Sequence, residues 1–139
     1  MFVEGPISQI QRKTAGYRVI LADDEPPFRL WLRSLLDGSS EFKVVGEANS
    51  GEEALALASS LLPDLVITDV DMPGGDGFEL ARLLRDQLPE VKVIMVSGHT
   101  GRAFQRLARR EGVVALIPKV KLSVDALAQA LQRALPEEA

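Results

Sequence analysis

Apolar residues recur along the chain in two alternating rhythms. Short runs at residues 19–22, 44–45, 65–67, 91–96 and 113–117 have the length and β-branched content of buried strands. The stretches between them carry a helical period. Phe28, Leu32, Leu35 and Leu36 share one face, as do Ala54, Leu57, Ala58 and Leu61. Ser50 and Glu53 are spaced as a capping box at the start of the second helix, each able to satisfy the other's backbone donor. A third helix is predicted from about 78 to 88, closed by Pro89, and a fourth from near Thr100 to Gly112, a natural C-terminal stop. The fifth pattern is the most regular: Val124, Leu127, Ala128, Leu131 and Leu135 repeat at helical spacing behind Ser123, the expected N-cap.

Five β-α units with short connections predict an α/β domain, a doubly wound parallel sheet covered by helices on both faces. Right-handed crossovers leave few arrangements, and a flavodoxin-like (βα)5 sheet of strand order 2-1-3-4-5 is the expected one. Its first and third strands flank the topological switch point, where ligands bind beyond the carboxyl ends of the strands. Residues 1–17 read as an N-terminal extension outside the fold, 18–136 as the domain, and 137–139 as a C-terminal tail. No internal repeat or low-complexity segment interrupts this pattern.

Composition narrows the chemistry. The chain has 139 residues, 46% hydrophobic and 26% charged, as expected of one globular domain. A net charge of −4 disfavours direct binding to nucleic acid. The absence of cysteine excludes disulfides, thiol catalysis and thiolate metal sites, and suits a reducing cytoplasm. No apolar run approaches the roughly 18 residues of a membrane span, and the first residues lack the apolar core of a secretory signal. The single His99 has no second histidine with which to build a transition-metal site.

The strand ends carry the candidate chemistry. Asp23-Asp24-Glu25 follow the first strand, Asp69 ends the third, Ser97 the fourth and Lys119 the fifth. Any one of these has an ordinary structural explanation: a turn acid, a helix N-terminal acid, a loop hydroxyl, a solvated lysine. Together on one rim they are complementary. Clustered carboxylates suit a hard cation such as Mg2+, while an ammonium and a hydroxyl suit phosphoryl oxygens. Asp69 is then free to act as a nucleophile.

The segments "LADDE", "VITDVDMPGGDG", "MVSGH" and "LIPK" occur in that order, each at a predicted strand end. With them the chain resembles a response-regulator receiver domain of two-component signalling, over roughly residues 18–135. The resemblance implies a phosphoryl group passed from a sensor histidine kinase to Asp69. It implies Mg2+ held by Asp24 directly, by Asp23 largely through water, by Asp69, and by the backbone carbonyl of Asp71. Ser97 and Lys119 would contact the phosphoryl oxygens. The implied readout is the face of helix 4, strand 5 and helix 5, which is also the face for a homodimer. "GVVALIPK" resembles receivers of LuxR/NarL-like transcription regulators, implying a DNA-binding output domain beyond this chain.

Two positions depart from the family pattern. Leu116 stands three residues before the lysine, where an aromatic is usual, and Val120 follows the lysine in place of proline. The Lys119–Val120 bond is therefore expected to be trans, and Pro118 to lie on an edge strand. Two alternatives stay open on sequence alone. Asp69-x-Asp71 also resembles the motif of haloacid-dehalogenase-type phosphatases, with Asp71 as general acid, although that reading leaves Asp23 and Asp24 unused. The other is a pseudo-receiver that binds proteins without being phosphorylated. Trp31 is expected to pack beside the first helix's apolar stripe, and the arginines of "RLARR" to form a solvated face.

Overall fold

A computed structural model describes residues 16–72, 76–98 and 102–134. Strands β1 (Tyr17–Ala22), β2 (Phe42–Ala48), β3 (Leu65–Asp69), β4 (Lys92–Ser97) and β5 (Ala115–Pro118) alternate with helices α1 (Pro26–Asp37), α2 (Gly51–Leu61), α3 (Gly77–Gln87), α4 (Arg102–Arg110) and α5 (Val124–Ala134). The sheet is parallel throughout, with strand order β2-β1-β3-β4-β5. The fold is thus the flavodoxin-like one expected. β1 opens at Tyr17, one residue before the boundary read from the sequence, and Tyr17 is buried with its ring stacked 5.7 Å from Phe42.

Side chains alternate across each strand, so the sheet divides its apolar residues between two cores. Val19, Leu21, Leu65, Ile67, Ile94 and Ile117 face α1 and α5, where Leu32, Leu36, Leu127 and Leu131 cover them. Ile20, Val66, Val93, Met95 and Leu116 face the other way, against Ala54, Ala58, Leu80, Leu84 and Ala108. Burial on both faces explains why the strands read as nearly continuous apolar runs.

The helix ends follow their caps. Glu53 N–H donates to Ser50 Oγ at 3.1 Å, but the Glu53 carboxylate accepts from Asn49 N–H at 2.7 Å, one residue earlier than a reciprocal capping box requires. Asp76 caps α3 through Glu79 N–H at 2.8 Å, and Ser123 caps α5 through Ala126 N–H at 3.0 Å. The expected ends at Thr100 and Leu135 lie outside the described residues, as does His99. β5 is an edge strand, so Pro118 sits where a missing N–H is tolerated. Among the described residues no peptide bond is cis, Lys119–Val120 included. Trp31 is 46% exposed and leans on Phe28, with ring centroids 5.6 Å apart, so it packs over the apolar stripe without entering the core. Arg106, Arg109 and Arg110 are exposed on α4.

Candidate functional site

The two central strands deliver the acids. β1 and β3 are paired neighbours, and the odd-numbered face that holds Leu21 and Ile67 continues past the core as Asp23 and Asp69. Asp23 is fixed by its own backbone, whose N–H donates to Ala48 O at 3.0 Å, and by its side chain, whose Oδ1 accepts from Glu25 N–H at 2.7 Å. Asp69 lies opposite Val96 in register, and its carbonyl accepts from the Thr68 hydroxyl at 2.9 Å. Gly77 closes the loop after β3. A Cβ there would stand 2.3 Å from Asp69 O and 2.7 Å from Met95 Cε, so only glycine lets α3 start against the strand end.

Asp23 and Asp69 are buried, at 3% and 6% exposure, whereas Asp24 is exposed. The three offer carboxylate oxygens that all lie within 4.8 Å of one another. Burial raises the Asp23 pKa against the opposing hydrogen bond from Glu25 N–H and the Lys119 charge. Burial likewise raises Asp69, with Asp23 adding to the effect and Lys119 opposing it. Lys119 begins a 3₁₀ turn (Lys119–Lys121) just after Pro118, the register partner of Ser97. Its Nζ lies 3.1 Å from Glu25 Oε1, 3.3 Å from Asp23 Oδ2 and 3.4 Å from Asp69 Oδ2. Burial works against this ammonium, but the surrounding carboxylates outweigh it and raise its pKa.

One cation does not neutralise this set. Asp23 Oδ2 is buried and accepts no hydrogen bond among the described residues; its approach to Lys119 has the distance of an ion pair without hydrogen-bond geometry. A buried oxygen left in that condition, beside two further carboxylates, fits a hard divalent cation with oxygen ligands. The Asp71 side chain is exposed and lines the same pocket of about 350 Å3, together with Asp24, Glu25, Asp69, Gly98 and Lys119. Ser97 ends β4 fully buried, on the opposite strand parity from Asp69, and its neighbour Gly98 lines the pocket. The structure thus brings Asp23, Asp24, Asp69 and Lys119 together and sets Asp71 and Ser97 at the margin.

The sequence did not single out the residues that hold this arrangement. Arg29 on α1 donates from Nη1 to the carbonyl of Asp23 and to Asn49 Oδ1 at 2.7 Å, and from Nε to Glu47 Oε1 at 3.0 Å. Arg33 pairs with the other Glu47 oxygen. Burial would raise the Glu47 carboxyl, but the two arginines overcome it and lower the pKa. This network ties β2 and α1 to the backbone of the acidic loop. Only a one-turn spacing of Arg29 and Arg33 hinted at it in the sequence.

A parallel sheet of this order, with acids beyond its two central strands and a lysine beyond its edge strand, defines a flavodoxin-like α/β domain carrying an acidic site at its switch point. The response regulator receiver domain family matches residues 19–132, and the chain belongs to that family, a module of two-component signalling. Receiver domains as a family bind Mg2+ and interact with histidine kinases. The phosphatase and pseudo-receiver alternatives are accordingly not favoured. The chain is 41% identical over 101 residues to the transcriptional activator protein ExaE of Pseudomonas putida, covering 73% of this chain and 47% of that protein. It is 34% identical to the transcriptional regulatory protein LnrK of Bacillus subtilis, covering 82% and 51%. It therefore spans about half the length of these curated relatives. Among solved structures it resembles the receiver domain of the response regulator NarL from Mycobacterium tuberculosis, with TM-score 0.79, 32% identity and coverage of 86% and 96%. The response regulator domain of Thermotoga maritima CheB matches with TM-score 0.76, 31% identity and coverage of 87% and 99%.

Proposed function

We propose that this receiver domain takes a phosphoryl group from the phosphohistidine of a sensor histidine kinase onto Asp69. The observation that carries this reading is the buried Asp69 carboxylate, held 3.4 Å from Lys119 Nζ beside an acidic cluster that one ammonium leaves undercompensated. An Asp69 oxygen attacks phosphorus, the N–P bond of the donor breaks, and the imidazole leaves with the bonding pair. The product is an acyl phosphate on Asp69. Lys119 and Ser97 stabilise the transferring oxygens. Asp23, Asp24, Asp69 and the backbone carbonyl of Asp71 would hold Mg2+. When bound, Mg2+ supplies the positive charge that offsets repulsion between phosphoryl oxygens and the acids.

In this reading the receiver runs from Tyr17, where β1 opens, to residue 136, with 1–16 and 137–139 outside it, and the domain works in the cytoplasm. Phosphorylation shifts a two-state equilibrium read through α4, β5 and α5, the face on which a homodimer would form. The likeness to transcriptional regulators of about twice this length supports a DNA-binding output domain, with no nucleic-acid or membrane contact made by the receiver itself. Intact mass after incubation with acetyl phosphate and Mg2+ tests the reading. One added phosphoryl group is expected, absent in Asp69→Asn, and equal labelling of that variant would overturn the assignment.

A further inference from the structure

Lys119 is the cation of the proposed site, yet the sheet does little to fix it. It lies in the 3₁₀ turn beyond β5, and a lysine stem has four flexible carbons that lose rotamer freedom when the head group is held. Besides the carboxylates of Asp23 and Asp69, two contacts from the start of α1 hold it. The Phe28 ring lies under the ammonium, with its centroid 4.1 Å from Nζ, and Glu25 Oε1 accepts from Nζ at 3.1 Å. Phe28 is itself placed by packing against the α1/α5-side core and by its contact with Trp31. Glu25 differs from the other acids near Lys119. It is exposed and stands outside the cluster of Asp23, Asp24 and Asp69 that could hold a cation.

We infer that Phe28 and Glu25 are opposed positioning residues for Lys119: the Phe28 ring steadies the ammonium beside Asp69, and Glu25 holds it at rest until an incoming phosphoryl group displaces that carboxylate. The inference rests on the phosphoacceptor reading above. A ring attracts a cation through its face without carrying a charge, so it does not repel the phosphoryl oxygens. The Glu25 carboxylate competes with the phosphoryl oxygens for Nζ. The two residues should therefore act through one lysine with opposite signs.

The test has a spectroscopic arm and a kinetic arm. In protein carrying 13C-labelled lysine, the Hε resonances of Lys119 should lie upfield of those of Lys43, Lys92 and Lys121, because they sit near an aromatic face. Phe28→Leu should remove that shift and Phe28→Tyr should retain it. In labelling with acetyl phosphate and Mg2+, an Asp69 oxygen attacks phosphorus, the acyl O–P bond breaks and acetate leaves. Phe28→Leu should slow this step about threefold to tenfold and Phe28→Tyr should restore it. Glu25→Gln should accelerate it about twofold to fivefold. Both effects should shrink to within error in the slower Lys119→Ala background, as residues acting through Lys119 require. No upfield shift, or unchanged Phe28→Leu and Glu25→Gln rates in a protein that labels normally, would overturn the inference. A ring-dependent shift in a protein that never labels would instead uphold the Phe28 contact and overturn the phosphoacceptor reading.

Discussion

Two aspartates bracket β3, and the molecule uses them in opposite ways. Asp64, just before the strand, has Oδ2 accepting from Arg18 N–H at 2.8 Å, while the Arg18 guanidinium donates to the carbonyls of Leu61 and Leu62 at 2.8 Å. The carboxylate and the guanidinium at that end both have hydrogen-bond partners. Asp69, closing the strand, shares one lysine with Asp23 and Glu25, and a neighbouring Asp23 oxygen accepts no hydrogen bond among the described residues. Yet the matched end has the larger cavity, about 570 Å3 and mainly apolar, against about 350 Å3 at the charged end. Charge is concentrated and left unmatched at the smaller pocket, which is where the proposed phosphoacceptor site lies.

The largest effect should come from exchanging the roles of the two acids. Asp69→Asn should lose all acetyl-phosphate labelling. Asp64→Ala should keep labelling but lose about 1–3 kcal/mol of stability in urea melts, because it strands the Arg18 N–H. Loss of labelling in a folded Asp64→Ala protein would show that the two ends are energetically coupled.

A comparable stability cost should appear without any change in chemistry at Leu116. This residue is 7% exposed in the α2–α4-side core, and its carbonyl accepts from Gln105 Nε2 at 3.3 Å. Leu116→Ala should cost about 2–5 kcal/mol by leaving a cavity, while Asp69 still labels. An unaltered melt with a changed labelling rate would move Leu116 from the core to the switch.

The smallest effect is electrostatic. Mg2+ at about ten times its dissociation constant should stabilise the domain by about 1.4 kcal/mol, read as a raised Tm. The pH dependence has a definite sign. Burial raises Asp23 and Asp69 above 3.8, so the folded chain holds more protons than the unfolded one as pH climbs above that value. Metal-free stability should therefore fall with rising pH through that window, and Asp23→Asn should flatten the fall. Stability that rises there in metal-free protein, with no flattening in the variant, would mean that the acids are better compensated than their surroundings imply.

The elements were legible because their signals are local. Strand alternation and helical spacing involve residues a few positions apart, and from them the five β-α units, the strand order and the caps at Ser50 and Ser123 could be read before any packing was known. Element ends were less legible. β2 extends to Phe42 and Ala48 because pairing with β1 recruits flanking residues that the Val44-Val45 pair does not announce. α3 starts at Gly77, before its apolar face begins, because its start is set by close contact with Asp69.

At the site, the sequence alone determined which chemical groups end each strand, and hence that Asp23, Asp24, Asp69 and Lys119 converge on one rim, with Ser97 at its margin. It did not determine which of them would be buried, or that Glu25 and Phe28 would grip a lysine up to 94 positions away while Arg29 anchors the acidic loop. Those contacts join elements through the packing of α1 on the sheet and the turn after β5. Their distances depend on side-chain placement across the whole domain, and no local period in the chain encodes that.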